Sequence, residues 1–426
     1  MINIIEAIKN FYHFLWSFFS ALFYGFPSRH LKVIGVTGTK GKSTTVEMIS
    51  KILEENGQKV ASLSSIEFKI NKTSEKNLFK MTMPGRGYVQ KFLRKAVRAH
   101  CQYAIIEVTS EGILQYRHKF INFEAAVFTN LAPEHIERHG SFENYRKAKG
   151  KLFEATKRIH ILNLDDPNVD YFLNIPAERK IGFTLKESKK SVDTLVKGEN
   201  LEIKDWESKF FVEGIEFNLH LPGIFNTYNA LCAIATALSQ SVPLSTSKKA
   251  LEKIKGVPGR MELVIREPFK VIVDYAHTPQ SLAEVYETLR KQKTKSKIQN
   301  TKLICVLGSC GGGRDKWKRP KLGEIAAKYC DEIIITNEDP YDEDPSQILS
   351  MIKSGISNSQ FPMTNFYEIL DRREAINKAL KLAKSGDTVI ITGKGCEPWM
   401  CIENGKKISW DDRKIVKEEF EKIKVN

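Results

Sequence analysis

Two successive α/β domains are the fold class predicted by this chain of 426 residues: a three-layer domain on a parallel sheet, then a smaller α/β domain. Three observations carry that prediction. An apolar run, Leu31-Lys32-Val33-Ile34, breaks into the glycine-rich turn Gly35–Thr45 and then a helical stretch. Strand-like apolar runs alternate with helical stretches as far as residue 163. A hinge-like break, Gly256-Val257-Pro258-Gly259-Arg260, precedes a second alternation and places a domain boundary at residue 257.

In chain order, the first element is an aromatic segment, Phe11–Phe26, that stops at Pro27. It is too short for a comfortable membrane span. Two readings stand for residues 1–30: a helix packed on the next domain, or an interfacial helix lying on a membrane through residues 11–26. A secretory leader is not expected, because no small-residue cleavage site is visible. The turn Gly38-Thr39-Lys40-Gly41-Lys42-Ser43-Thr44 comes next, before an amphipathic helix over 46–55. Glycines there let bare N–H groups approach phosphates, and the helix N-terminus adds its positive dipole end. Lys42 can reach β- and γ-phosphates, and the Ser43 or Thr44 hydroxyl can join a Mg²⁺ shell. The strict P-loop pattern wants glycine where this chain has Val36, so only the half Gly41-Lys42-Ser43 matches. Strand, loop, lysine and hydroxyls together still predict a nucleoside triphosphate site.

Helical stretches at 89–99 and 145–154 separate buried strands at 103–108, 125–130 and 159–163, and 180–220 reads as a small antiparallel flap before a helix at 226–238. Glu107 ends a buried strand on the edge where parallel sheets place ligands, and the loop Pro133–His139 follows the next strand. A strand-end carboxylate and a nearby imidazole, His135, opposite a phosphate loop make a plausible Mg²⁺ cage. Beyond residue 257, strands are expected at 270–274, 303–307, 332–336 and 388–392. Polar loops end three of them: Asp274–Pro279, Gly308–Lys316 and Gly393–Glu397. Three polar strand ends in one small domain suggest a ligand edge.

The net charge of +15 points to anionic partners, and nucleotide phosphates with an acidic small substrate suffice for it. No nucleic-acid module appears, so no nucleic-acid partner is expected. The densest basic run, 289–302 with Arg290, Lys291, Lys293, Lys295, Lys297 and Lys302, reads as a solvated loop. Seven scattered cysteines with no C-x-x-C pair fit reduced thiols and a cytoplasmic protein.

Taken together, these segments resemble the Mur ligases, ATP-dependent amino-acid ligases of peptidoglycan precursor synthesis, and above all their tripeptide-forming members. The resemblance runs from Leu31 to the C-terminus through Gly38–Ser43, Glu107–Ser110, Asn130–Gly140, Tyr145–Phe153, Asp274–Pro279, Arg314–Pro320 and Gly393–Glu397. Folylpolyglutamate synthetase shares the ATPase core, but the Asp-Tyr-Ala-His-Thr-Pro and Gly-Lys-Gly-x-Glu segments look much more like the tripeptide enzyme. The resemblance implies a P-loop three-layer ATPase domain (31–257) and a Rossmann-like amino-acid-binding domain (258–426). It implies ATP contacts at Gly38, Thr39, Lys40, Gly41, Lys42, Ser43, Thr44, Asn226, Asn229, Arg260, Asp274, Tyr275 and His277, and metal contacts at Ser43, Glu107, His135 and Lys149. Lys149 matches a lysine that the family carbamylates, which turns a cation into an anion able to bind Mg²⁺. Lys42, Lys149 and His135 are the implied catalytic set, and Thr82, Ser110, Gln115, Arg117, Arg314, Asp339, Tyr341, Gly393 and Glu397 the implied substrate contacts. ATP, Mg²⁺, an amino acid and an anionic acyl acceptor such as UDP-MurNAc-dipeptide are the implied partners.

This chain departs from the family's pattern in places. Only about thirty residues precede the core, so the family's UDP-cradling domain is not expected. Paired threonines appear as Thr82-Met83, and Cys396 and Glu111 replace typical histidines. A motif ending in arginine in diaminopimelate users reads Glu338-Asp339-Pro340-Tyr341, which favours lysine or ornithine as the incoming amino acid. The expected function is therefore an amide ligase working through an acyl phosphate. A ligase of the same fold with a folate-like or lipid-linked acceptor, or an ATP-binding scaffold without ligation, are the alternatives.

Overall fold

The computed structural model describes residues 4–79, 81–85, 87–204, 206–294, 300–361 and 365–425. The chain divides into two compact units, Met1–Pro133 with Ser141–Lys255, and Glu134–Gly140 with Gly256–Asn426.

The first unit opens with α1 (Ile4–Phe23), β1 (Lys32–Thr37), α2 (Lys42–Glu55), β2 (Val60–Leu63), β3 (Glu67–Ile70) and β4 (Thr73–Lys76). It continues through α3 (Tyr88–Arg98), β5 (Tyr103–Glu107), α4 (Ser110–Leu114) and β6 (Phe123–Phe128). After α5 (Ile136–His139), which belongs to the second unit, come α6 (Phe142–Ala155), β7 (Ile159–Asn163), α7 (Val169–Leu173), β8 (Arg179–Thr184) and β9 (Thr194–Lys197). The strands form a nine-stranded sheet in the order β4-β3-β2-β5-β1-β6-β7-β8-β9. From β2 to β9 all neighbours are parallel, while β3 and β4 add an antiparallel edge. Runs such as Val-Ile-Gly-Val-Thr and Ala-Ile-Ile are apolar on both faces, which suits strands covered by helices on either side. Pairing departs from β1 to β5 on one side and to β6 on the other, so the sheet's switch point lies at the end of β1.

The aromatic core holds those layers together. Phe128 stacks on Phe172 at 4.1 Å, and Phe153 meets Phe172 edge-on at 5.0 Å. A separate antiparallel sheet, β10 (Glu199–Lys204), β11 (Glu207–Val212) and β12 (Ile215–Leu219), leads into α8 (Ile224–Ser239) and α9 (Leu244–Glu252). Helix α1 packs by a mixed side: Ser17 Oγ donates to the Tyr116 carbonyl at 2.9 Å, Phe14 and Phe18 meet Phe120, and Ala21 is buried. Arg94 of α3 binds the Tyr24 and Gly25 carbonyls and so satisfies the end of α1.

The second unit holds β13 (Glu262–Ile265), β14 (Lys270–Asp274), α10 (Pro279–Thr294), β15 (Leu303–Leu307), α11 (Lys318–Tyr329), β16 (Glu332–Ile335), α12 (Pro345–Ser357), β17 (Asn365–Glu368), α13 (Arg372–Leu382) and β18 (Thr388–Thr392). A hairpin of β19 (Trp399–Cys401) and β20 (Lys407–Ser409) precedes α14 (Asp412–Val425). Its sheet runs β13-β14-β18-β15-β16-β17, parallel except for β13. The ends of β14, β18, β15 and β16 are therefore adjacent, which brings the polar loops read from the sequence to one edge.

Several expectations are corrected. Helix α2 begins at Lys42, because Gly41 at φ 78° already turns the chain, and β6 ends at Phe128, leaving Thr129-Asn130 in the loop. Only β10–β12 form an antiparallel flap, since β8 and β9 are apolar enough to extend the parallel sheet. The basic run is not one solvated loop. Arg290 lies in α10 and pairs with Asp331 at 2.9 Å, and Lys302 pairs with Glu332 at 2.7 Å, while Lys295 and Lys297 lie outside the described residues. The cysteines are not all thiols: Cys305 of β15 and Cys330 beyond α11 form a disulfide with Cα atoms 6.1 Å apart. Register pairs Cys305 with Ile333, and Cys330 comes beside it at the turn from α11 into β16, a proximity that spacing in the sequence does not reveal.

Arg372 and Asp412 form a fully buried pair, with Nε–Oδ1 2.9 Å and Nη2–Oδ2 2.7 Å, and Arg372 Nη2 also donates to the Thr392 carbonyl at 2.8 Å. Asp412→Ala strands that guanidinium in the core, and we expect a loss of about 3–5 kcal/mol of stability in the second unit by denaturant unfolding. A loss below about 1 kcal/mol would mean water or a neighbour rescues the arginine.

Candidate active site

In the first unit, the loop after β1 has no room for side chains. A Cβ on Gly38 would lie 2.0 Å from Thr129 Oγ1, and one on Gly41 2.2 Å from Asn229 Oδ1. Gly38 and Gly41 sit at φ 151° and 78°, a region that favours glycine. Loop backbone is tied to the neighbouring strand end: Thr39 N donates to the Asn130 carbonyl at 2.9 Å, Lys40 N to Asn130 Oδ1 at 2.8 Å, and Thr129 Oγ1 to the Lys40 carbonyl at 2.7 Å. Those bonds spend the Thr39 and Lys40 N–H groups on fixing the loop ahead of α2, whose N-terminal N–H groups are the kind that receive phosphate.

Glu107 joins this loop from the end of β5. Its Oε2 accepts from Ser43 Oγ at 2.8 Å and from Ser65 N at 3.0 Å, and its Oε1 lies 3.9 Å from Lys42 Nζ. Lys42 Nζ also donates to the Thr39 carbonyl at 2.9 Å. A buried carboxylate and a hydroxyl side by side are hard oxygen donors, which fit Mg²⁺. Ser65 is a neighbour of this group that the sequence reading missed; no motif marks it.

Lys149 of α6 is 2% exposed, with Nζ 2.7 Å from the Gly38 carbonyl and 4.6 Å above the Tyr145 ring. Tyr145 OH lies 3.1 Å from Thr39 Oγ1, so α6 presses directly on the loop. Asn226 and Asn229 are linked on α8 (3.2 Å), and Thr45 Oγ1 donates to Asn229 Oδ1 at 3.4 Å. They therefore border the loop and the first turn of α2. Four residues read as substrate contacts also gather in this unit. Arg117 binds the Met83 carbonyl next to Thr82 and the amide oxygen of Gln115, while Gln115 Nε2 reaches Glu111 at 2.6 Å. Ser110 opens α4 just after the Thr109 cap, which accepts from Gly112 N at 3.1 Å.

The remaining site residues belong to the second unit, His135 among them, so Ser43 and Glu107 lie in one unit and His135 in the other. The loop 134–140 is held there by Glu134 on His277 Nε2 (3.1 Å), Glu137 N on Asp315 (3.1 Å) and His135 Nδ1 facing Arg314 Nη1 (3.4 Å). Asp274 uses both carboxylate oxygens on backbone, from Met261 N (2.6 Å) and Ala276 N (2.7 Å), so it shapes the strand end. Arg260 lies 4.3 Å over the Tyr275 ring, whose hydroxyl donates to Glu397 Oε1 at 3.0 Å.

Lys394 is the organising residue of this edge, and the sequence reading noted its segment without assigning it a role. Fully buried, it binds Asp339 Oδ2 at 2.9 Å and Glu397 Oε2 at 2.8 Å. Asp339 Oδ1 in turn accepts from Cys401 N at 2.6 Å, and Cys310 Sγ donates to Glu338 Oε1 at 3.0 Å. Burial, then Glu338 and Asp339, push the Cys310 thiol well up, so it stays protonated as that donor. Cys310, Glu338 and Asp339 lie close enough to hold a metal, but the Lys394 ammonium already supplies the cation. Glu338 is 2% exposed, and its Oε2 has no partner; a Cβ on Gly393 would stand 2.4 Å from it. Tyr341, at φ 53°, packs its ring over Gly312. Burial, then Cys401, Cys310 and Asp339, raise its phenol, which leaves a neutral hydrogen-bonding side chain.

Comparison with known proteins accords with this geometry. Residues 36–237 match the Mur ligase middle domain and residues 259–395 the Mur ligase glutamate ligase domain. The UDP-N-acetylmuramoyl-L-alanyl-D-glutamate–2,6-diaminopimelate ligase of Syntrophomonas wolfei is 36% identical over 407 residues, covering 94% of this chain and 80% of that protein. That of Aquifex aeolicus is 38% identical over 400 residues, covering 93% and 79%. A solved structure of a ligase with the same name superposes with TM-score 0.61 at 30% identity over 92% of this chain and 79% of that one. Mycobacterium tuberculosis folylpolyglutamate synthase shares the fold, with TM-score 0.71 at 15% identity over 89% of this chain and 92% of that one. The chain belongs to the Mur ligase family, whose members are ATP- and Mg²⁺-dependent ligases.

The loop geometry makes a direct prediction. Gly41→Ala drives a methyl group into Asn229 at a positive φ, so ATP affinity should fall at least about tenfold, while Gly57→Ala, at φ 80° but in open space, should leave it unchanged. Isothermal titration with a non-hydrolysable ATP analogue checks this.

Proposed function

We propose that this ligase joins an amino acid to the free carboxylate of a UDP-MurNAc-dipeptide, the acceptor in its relatives' names. The observation that carries the reading is Glu107 beside Ser43 and Lys42 at the mouth of a loop shaped for phosphate. An acceptor carboxylate oxygen attacks the γ-phosphorus, the bond to the β-phosphate oxygen breaks, and ADP leaves. Lys42 draws charge off the transferring group. Ser43 and Glu107 would hold Mg²⁺, which would supply charge neutralisation there. The deprotonated amine of the amino acid then attacks the acyl carbon, and phosphate departs as the amide forms. The first unit serves as the ATP-binding domain and the second as the amino-acid-binding domain, with Arg314 on the incoming carboxylate and Gly393 and Glu397 toward its amine. Hydroxylamine added with ATP and acceptor alone should trap the acyl phosphate as a hydroxamate; ADP release without that trap would count against the intermediate.

Lys149 acts as its carbamate, an anionic side chain against the phosphate loop. Its burial at the loop supports this reading, and as the carbamate it would give up the ammonium's contacts to the Gly38 carbonyl and the Tyr145 ring. Lys149→Ala should lose ligation nearly completely yet recover part of it with short carboxylic acids or high bicarbonate. Wild-type turnover in the alanine variant would sink the carbamate.

The incoming amino acid is lysine or ornithine rather than the meso-diaminopimelate of the relatives' names. A far-end carboxylate would meet neutral Tyr341 and the Glu338 oxygen that lacks a partner, whereas a terminal ammonium would satisfy that oxygen. Absence of a bidentate arginine costs a partly buried carboxylate on the order of several kcal/mol. Side-by-side kcat/KM values for the three amino acids with one acceptor decide it: diaminopimelate best by more than about tenfold, roughly 1.4 kcal/mol, overturns the charge argument.

The enzyme works in the cytoplasm with peripheral membrane contact through residues 11–26. Among the described residues no helix is long and apolar enough to cross a membrane.

A further inference from the structure

Helix α1 carries apolar side chains on both faces: Phe14 and Phe18 meet Phe120 and Ala21 is buried, while a second aromatic set faces outward. Phe11, Tyr12, Trp16, Phe19, Leu22 and Phe23 recur at helical spacing along one face and are exposed, Phe23 by 81%. The opposite face, with Ser17 and Ser20, packs inward: Ser17 on Tyr116, and Ser20 beneath Gly87, where a Cβ would come within 2.5 Å of its Oγ. The elements packed around α1 are basic. Helix α3 carries Lys91, Arg94, Lys95 and Arg98 and no acidic residue, and Arg29 follows α1 with its guanidinium 4.7 Å from the Phe26 ring. Glu6 lies near the start of α1. Glu111 is the nearby carboxylate on the 110–120 segment; it accepts from Gln115 and faces Arg117.

We propose that the outward face of α1 seats the first unit on an anionic lipid surface, with the basic side chains of α3 meeting the headgroups. The inference rests on the proposed peripheral contact of residues 11–26 and adds the face, the charge and the lipid. An aromatic stripe flanked by basic side chains is the chemistry of an interfacial helix: rings enter the headgroup boundary, and lysines and arginines meet anionic headgroups.

The test is sedimentation of the full chain with phosphatidylcholine vesicles containing phosphatidylglycerol, against vesicles of pure phosphatidylcholine. Binding should be at least about tenfold tighter to the anionic vesicles and weaken with salt. The triple variant Phe11→Ser, Phe19→Ser, Phe23→Ser should lose it, and Lys91→Gln, Lys95→Gln, Arg98→Gln should weaken it about a hundredfold, near fivefold per charge. Brominated lipid should quench tryptophan emission in the wild type and far less in Trp16→Phe. Both triple variants should keep ATP binding, which shows that they fold. Equal affinity for the two vesicle types overturns this proposal while leaving peripheral contact standing; no sedimentation with either overturns both. A lipid-free dimer that the serine variant abolishes also overturns it, by assigning the face to a second copy.

Discussion

No side chain fits at Gly38 or Gly41, and the first unit is arranged around that constraint. Bare backbone there can touch Thr129, Asn130 and Asn229, and the first turn of α2 follows directly at Lys42. The constraint reaches across the sheet, because β1 sits where pairing departs in both directions, to β5 and β6. Both neighbouring strand ends therefore converge on the loop, one delivering Glu107 and the other Thr129-Asn130. Tyr145 and Lys149 close it from α6. A phosphate site of this kind is preorganised: its donors are fixed before any charge develops, so no reorganisation is needed at the moment of transfer.

Much of this is legible in the sequence. The turn 38–44, the strand-end Glu107 and the second alternation after 256–260 identify two α/β units, since glycine placement and apolar runs are local signals. Less legible is whatever depends on pairing between distant segments. That β8 and β9 extend the parallel sheet, that Cys305 meets Cys330, and that the basic run 289–302 divides between α10 and an ion pair at Lys302 all depend on how distant segments pack. Lys394 is hidden for a related reason. Its segment stands out in the sequence, but only folding shows that Asp339, fifty-five residues away, and Glu397 close on the same ammonium.

Two of the buried cations in the second unit, Arg372 and Lys394, are placed differently. Arg372 meets a single carboxylate in bidentate fashion and a strand carbonyl, which spends its donors on structure alone. Lys394 spans two carboxylates from separate loops, so it fixes the spacing of Asp339 and Glu397 while cancelling much of their charge. Negative character at the ligand edge then concentrates at Glu338, where a thiol satisfies one oxygen and nothing satisfies the other. A buried carboxylate oxygen left without a donor is costly, and a ligand that brings an N–H group removes that cost on binding. On the proposed reading, discrimination at this edge would follow less from the total of acidic residues nearby than from which one of them the protein leaves unsatisfied.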